Sequence, residues 1–243
     1  MAVVIGACST PAAKREAAAS KADPLVDLGV AYMERGDRAR ALDKLTRALQ
    51  MDPNLPRGHY AIALLYDGMG EEDKAQSHYR RALSLDPRYA EARNAYGAFL
   101  CRQGDIKEAE KEFLEAARNP LYTTPDLAYT NAGLCLMAKQ DKEGAEKYFR
   151  EALQLNPLQP TALLQMAELS YQSDKYLNAR AYLQRYREVA QHTPESLWLG
   201  ILSEMKLGDR NAASSLALLL RARFPDSDQA RLLQEMEQGG QGL

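Results

Sequence analysis

Six alanines, Ala41, Ala75, Ala109, Ala145, Ala179 and Ala213, recur at intervals of 34, 34, 36, 34 and 34 residues, counted from their positions. A chain with such a period is constrained to an array of like units, each too small to bury its own apolar surface and so stacked on its neighbours. The register extends to other positions. Twelve residues before the first five alanines stand Gly29, Ala63, Gly97, Gly133 and Ala167. Four residues after them come Leu45, Tyr79, Phe113, Phe149 and Leu183, with Ala217 as the exception, and three further on Ala48, Ala82, Ala116, Ala152, Tyr186 and Leu220. Spacing of i, i+4, i+7 marks one apolar face of a helix. A small residue at the earlier position lets a preceding helix approach it closely.

Turn residues fall in the same register. Gly36-Asp37, Gly70, Gly104-Asp105, Gln140-Asp141 and Gly208-Asp209 sit where a helical hairpin needs a corner with positive φ. Asp52-Pro53, Asp86-Pro87, Asn156-Pro157 and Phe224-Pro225 close the units, because proline cannot continue a helix and moves the preceding residue out of the α region. The order is helix, corner, helix, stop. It resembles the tetratricopeptide repeat, whose period is 34 residues. That resemblance implies an all-α fold, a right-handed superhelix of six tetratricopeptide (TPR) helical hairpins with a concave groove lined by the first helix of each pair. The expected bounds are 22–55, 56–89, 90–125, 126–159, 160–193 and 194–227, preceded by a linker over 1–21 and followed by a helix end and a disordered tail over 228–243.

The composition of the 243 residues agrees: 46% hydrophobic, 26% charged and only 7% aromatic, with 31 basic against 33 acidic residues giving a net charge of -2. That balance offers no extended positive field for nucleic acid. No apolar run approaches the roughly 20 residues that span a bilayer; Leu216 to Leu220 is far too short. At the N-terminus, Ile5-Gly6-Ala7-Cys8 resembles a bacterial lipobox, which makes Cys8 the expected lipidation site. The segment before it is shorter than a complete signal peptide and reads as a truncated or re-engineered start.

In the repeat family the second, fifth, ninth and twelfth places tend to face the groove. That assigns Val26, Val30, Met33, Tyr60, Leu64 and Asn94 to it, followed by Ala98, Leu127, Thr130 and Leu134. Apolar residues there suit a hydrophobic segment of a protein partner; the alternative is packing against the N-terminal stretch or a neighbouring helix. Cys101 and Cys135 fall on first helices of adjacent repeats, where a disulfide is feasible and two ordinary buried thiols are the other reading. The loop Asn119 to Pro125 carries two extra residues and either alters the pitch or offers a binding feature. His59, His78 and His192 lack ligand spacing, so no metal site and no cofactor are expected, and no catalytic motif is present. Glu108 to Glu112 reads as a solvated outer face, and Trp198 as a cap of the last repeat or an anchor for a partner.

A more specific likeness lies in Asn94 to Gly104, Asn119 to Pro125 and Tyr129 to Cys135. These look like the third and fourth repeats of the type IV pilus biogenesis and stability lipoproteins (PilF/PilW type). The resemblance implies a non-enzymatic pilotin: a lipoprotein anchored through Cys8 on the periplasmic face of the outer membrane, whose groove binds the secretin subunit of the type IV pilus. It implies neither a nucleic-acid partner nor a small-molecule substrate. A different TPR adaptor of the bacterial envelope is the alternative. A co-chaperone clamp for a terminal carboxylate is disfavoured, because Val26 and Val30 stand where Lys, Arg or Asn would be needed.

Overall fold

A computed structural model of the protein describes residues 11–239, with side chains from residue 21 onward. Thirteen α-helices and no strand occur among the described residues, and the chain divides into two compact units that meet in sequence at Tyr122 and Thr123. The first unit holds α1 (Pro11–Glu34), α2 (Arg38–Met51), α3 (Pro56–Gly68), α4 (Glu72–Leu85), α5 (Ala90–Gln103) and α6 (Ile106–Ala117). The second holds α7 (Pro125–Ala138), α8 (Lys142–Leu155), α9 (Pro160–Gln172), α10 (Tyr176–Val189), α11 (Pro194–Leu207), α12 (Arg210–Arg223) and α13 (Asp228–Gln238). Each odd-numbered helix from α1 to α11 packs most extensively on the helix that follows it, forming six hairpins. In the first unit α1 also touches α3, and α3 touches α5.

The small residues do what the spacing predicts. A Cβ on Gly29 would sit 2.6 Å from Leu45 Cγ, one on Gly97 2.9 Å from the Phe113 ring, and one on Gly133 2.6 Å from the Phe149 ring. Leu45, Phe113 and Phe149 are all buried, so the bulky side chain of the second helix occupies the space the first leaves open. The sixth hairpin solves the same problem one place earlier. Gly200 there lies under Leu216, and at the regular positions the sizes are exchanged, Ile201 against Ala217, both buried.

Positive φ appears at every corner. Gly36, Gly70, Gly104 and Gly208 adopt it at no steric cost, and Gln140 (φ 61°) and Asp174 (φ 58°) serve the fourth and fifth hairpins. The corner at Asp174 has no glycine to announce it. At the far end of the second helices, Asp52, Asp86 and Asn156 leave the helix in extended conformation ahead of their prolines.

Three features depart from expectation. Residues 11–21, expected as linker, are helical and run without a break into α1, with Pro24 inside the helix; the alanine-rich stretch has high helix propensity. Residues 228–238 form a complete helix whose Leu233 is fully buried with Leu197, Ile201 and Leu220. Trp198 packs against that same cluster, so α13 rather than the indole closes the array. Glu112 is not part of a solvated face: it is buried and accepts a hydrogen bond from Arg93 Nη1, whose Nε donates to the Pro87 carbonyl at 2.9 Å.

Filling the hairpin contact is expected to destabilise the chain. Overpacking costs about 1–3 kcal/mol, more than the helix preference of about 1 kcal/mol recovered on replacing glycine. Gly133→Leu is therefore expected to lower the thermal unfolding midpoint measured by circular dichroism. Gly68→Ala, where nothing lies within 4 Å of an added Cβ, is expected to leave it unchanged or raise it.

Candidate protein-binding face and polar sites

In the first unit, α1, α3 and α5 lie side by side and carry the positions assigned to a groove. Val30 and Met33 on α1 are half-buried and pack against the core of the first hairpin. Tyr60 and Leu64 on α3 and Asn94 on α5 are half-buried as well. Val26 requires correction. It is fully buried among Ala22, Ala41 and Leu45, because its face of α1 packs on α2, so it belongs to the core and offers nothing to a partner.

Tyr60 meets Tyr89 edge-on with ring centroids 5.2 Å apart. Burial pushes both phenols up to about 12, with the charge of Glu91 adding to the effect. Both remain neutral hydrogen-bonding groups with an apolar body, a character that suits a contact surface. Asp67 borders the face. It accepts from both the Arg102 guanidinium, at 2.5 and 2.6 Å, and the Tyr79 hydroxyl at 3.3 Å, which ties α3 to α4 and α5.

The inserted loop is shaped by Asn119. Its side-chain amide donates to the Arg88 carbonyl at 2.6 Å, and its side-chain oxygen accepts from the Leu121 amide at 2.9 Å. Tyr122 is thereby buried while Leu121 stands 77% exposed. In the second unit, Leu127 and Leu134 on α7 are exposed, and Thr130 between them is buried, donating to the Asp126 carbonyl. Cys101 is half-buried on α5 and Cys135 buried on α7. Cys8 lies outside the described residues.

These helices match known proteins along most of their length. One tetratricopeptide-repeat family model matches residues 22–55 and 126–158, and a second matches residues 68–120. The type IV pilus assembly protein PilF of Pseudomonas aeruginosa is 34% identical over 205 residues, covering 84% of this chain and 81% of PilF. The chain belongs to the PilF/PilW family. A solved structure of Pseudomonas aeruginosa PilF superposes with a TM-score of 0.81 at 33% identity, covering 91% of this chain and 98% of that one. The crystal structure of PilW, a widely conserved type IV pilus biogenesis factor, gives 0.76 at 30% identity over 88% and 98%.

One polar site in this PilF/PilW-family chain was hidden from sequence reasoning. His59 on α3 and His78 on α4 meet with their Nδ1 atoms 3.0 Å apart. His59 Nε2 lies 3.1 Å from the Pro53 carbonyl, which can only accept, so Nε2 carries the proton. Neutral His59 then accepts at Nδ1 from Nδ1–H of His78. The signal was the 19-residue separation, which carries one helix position across the hairpin to the other. No cluster of three or more potential metal ligands occurs among the described residues.

Burial holds both imidazoles below the ordinary histidine range. Arg81 lowers His59 further, Pro53 and Asp52 oppose this, and His59 lowers His78. A depressed folded-state value means that the unfolded chain takes up protons first, so the pair stabilises at neutral pH. That contribution is lost as pH falls below about 6.5. The thermal midpoint is expected to drop between pH 7.0 and 5.5, and to drop less in a His59→Gln/His78→Gln variant. Equal slopes in the two proteins would rule out a titrating pair.

Proposed function

We propose that the chain is a non-enzymatic assembly factor of the type IV pilus that binds a hydrophobic segment of the outer-membrane secretin subunit. Its target face is formed by Val30, Met33, Tyr60, Leu64 and Asn94. The observation that carries this reading is the similarity to PilF across 81% of that protein's length, PilF being a pilus assembly protein. The face adds a physical reason. Half-buried apolar and amphipathic side chains on adjacent first helices bury further area against a partner without first being ordered, which lowers the entropic cost of docking. In this reading Cys8 carries a lipid that holds the chain at the periplasmic side of the outer membrane. A Cys101–Cys135 disulfide locks the middle repeats, as the oxidising periplasm allows.

Capture of the secretin on the immobilised protein is the test. Leu64→Gln retains most of the side-chain volume and is expected to weaken capture about tenfold or more, as loss of an interface anchor does, while the circular dichroism melt stays near that of the parent. Undiminished capture would move the contact elsewhere; absence of secretin would remove it as the partner. For the disulfide, the unreduced protein is expected to show no free thiol at Cys101 or Cys135 by alkylation and mass spectrometry. Breaking the bond is expected to lower the thermal midpoint, by about 2–4 kcal/mol of stability. Alkylation of both thiols without prior reduction would exclude the bond.

A further inference from the structure

Among the described residues, one buried side-chain polar atom has no hydrogen-bond partner: Nδ1 of His192. Such atoms are rare in folded chains, and each calls for a specific explanation. His192 precedes α11 and lines a cleft of about 260 Å³ between α10, α11 and α12 in the second unit. The charges around the cleft do not balance. Its one acidic residue, Glu204, is buried and already accepts from Arg180 Nε at 2.8 Å and from Arg180 Nη2. Arg187, which also lines the cleft, has no carboxylate partner among the described residues. His192 is held below the ordinary histidine range first by burial and then by the positive charges of Arg187 and Arg223.

None of the remaining lining residues is a carboxylate. The hydroxyl of Ser196 donates to the Thr193 carbonyl at 3.0 Å, and that of Ser215 to the Asn211 carbonyl at 2.8 Å. The exposed Gln184 amide is uncharged, so the groups left to meet an anion are the Arg187 guanidinium and, after a small turn of the ring, the imidazole Nδ1. Beside them the wall is apolar, formed by Leu183 and Leu216 with Gly200 between. A side chain on Gly200 would collide with Leu216 at 2.9 Å, so the floor stays open only with glycine there.

We propose that this cleft binds a carboxylate borne on a short apolar stem, with His192 Nδ1–H and Arg187 donating to the carboxylate and the stem lying against Leu183, Gly200 and Leu216. The apolar wall favours an alkyl carboxylate over a bare anion, and the guanidinium favours a carboxylate over an uncharged analogue. The site is independent of the pilus reading, since none of its residues belongs to the face proposed for the secretin.

The experiment follows the His192 ring resonance by NMR, assigned with His192→Gln, while the full chain is titrated with hexanoate, hexanamide or inorganic phosphate. Hexanoate is expected to shift the resonance saturably with Kd of about 1 mM and to raise the imidazole pKa, because it supplies the missing negative charge. Arg187→Gln, a change at an exposed position, is expected to weaken binding about tenfold or more. Hexanamide is expected to give no saturable shift. A free aliphatic acid and the C-terminal carboxylate of a peptide share this chemistry. A tripeptide ending in leucine, run against its amidated form, separates them by which carboxylate binds more tightly. No saturable response to any carboxylate, or an unchanged response in Arg187→Gln, overturns the proposal. Phosphate binding as tightly as hexanoate overturns the role of the apolar wall.

Discussion

Each hairpin depends on a contact between two helices in which one side supplies almost no side chain and the other a bulky one. Gly29 with Leu45, Gly97 with Phe113, Gly133 with Phe149 and Gly200 with Leu216 are all sixteen residues apart, the separation that one corner imposes on two antiparallel helices. The bulky partner fills the gap, so the approach leaves no cavity and the interface keeps the density of a protein interior. Everything else hangs on that distance: the positive-φ corners exist to deliver it, and the proline stops reset the chain for the next pair. The faces left to odd-numbered helices, including the one proposed for a partner, are those the contact does not use.

Much of this was legible because the period repeats the same physical demand. Glycine at 29, 97 and 133 and at the corners 36, 70, 104 and 208 signals both close approach and positive φ in residue identity alone. Legibility failed where another residue met the same demand. Asp174 takes φ 58° without being glycine, which a short polar side chain tolerates. In the sixth hairpin the small and large partners are exchanged at the regular places, so Ala217 looked like an exception when it was the other half of a swap with Ile201. The α1 extension falls within the expected linker because residues 11–21 lie outside the repeat register, while their alanines favour a helix.

The candidate face was less legible than the fold. Place-counting within a repeat put Val26 on an open surface, yet α1 is the outermost helix of the first hairpin and turns that residue into the core beside Leu45. The polar groups were harder still, since His59 and His78 come together only after the hairpin closes, and the stranded nitrogen of His192 is defined by what fails to surround it. Sequence spacing encodes which helix face a residue occupies; it does not encode which partners that face leaves unfilled.

The closing helix has a consequence for how such a chain changes over generations. Every hairpin presents a surface that would accept another hairpin, and α13 ends the series by laying Ala230 and Leu233 inward while Arg231, Gln234 and Glu235 face water. The number of repeats is therefore written in a single amphipathic segment and not in the repeats themselves. A duplicated hairpin inserted upstream of Asp228 would meet the same inward face of Ala230 and Leu233.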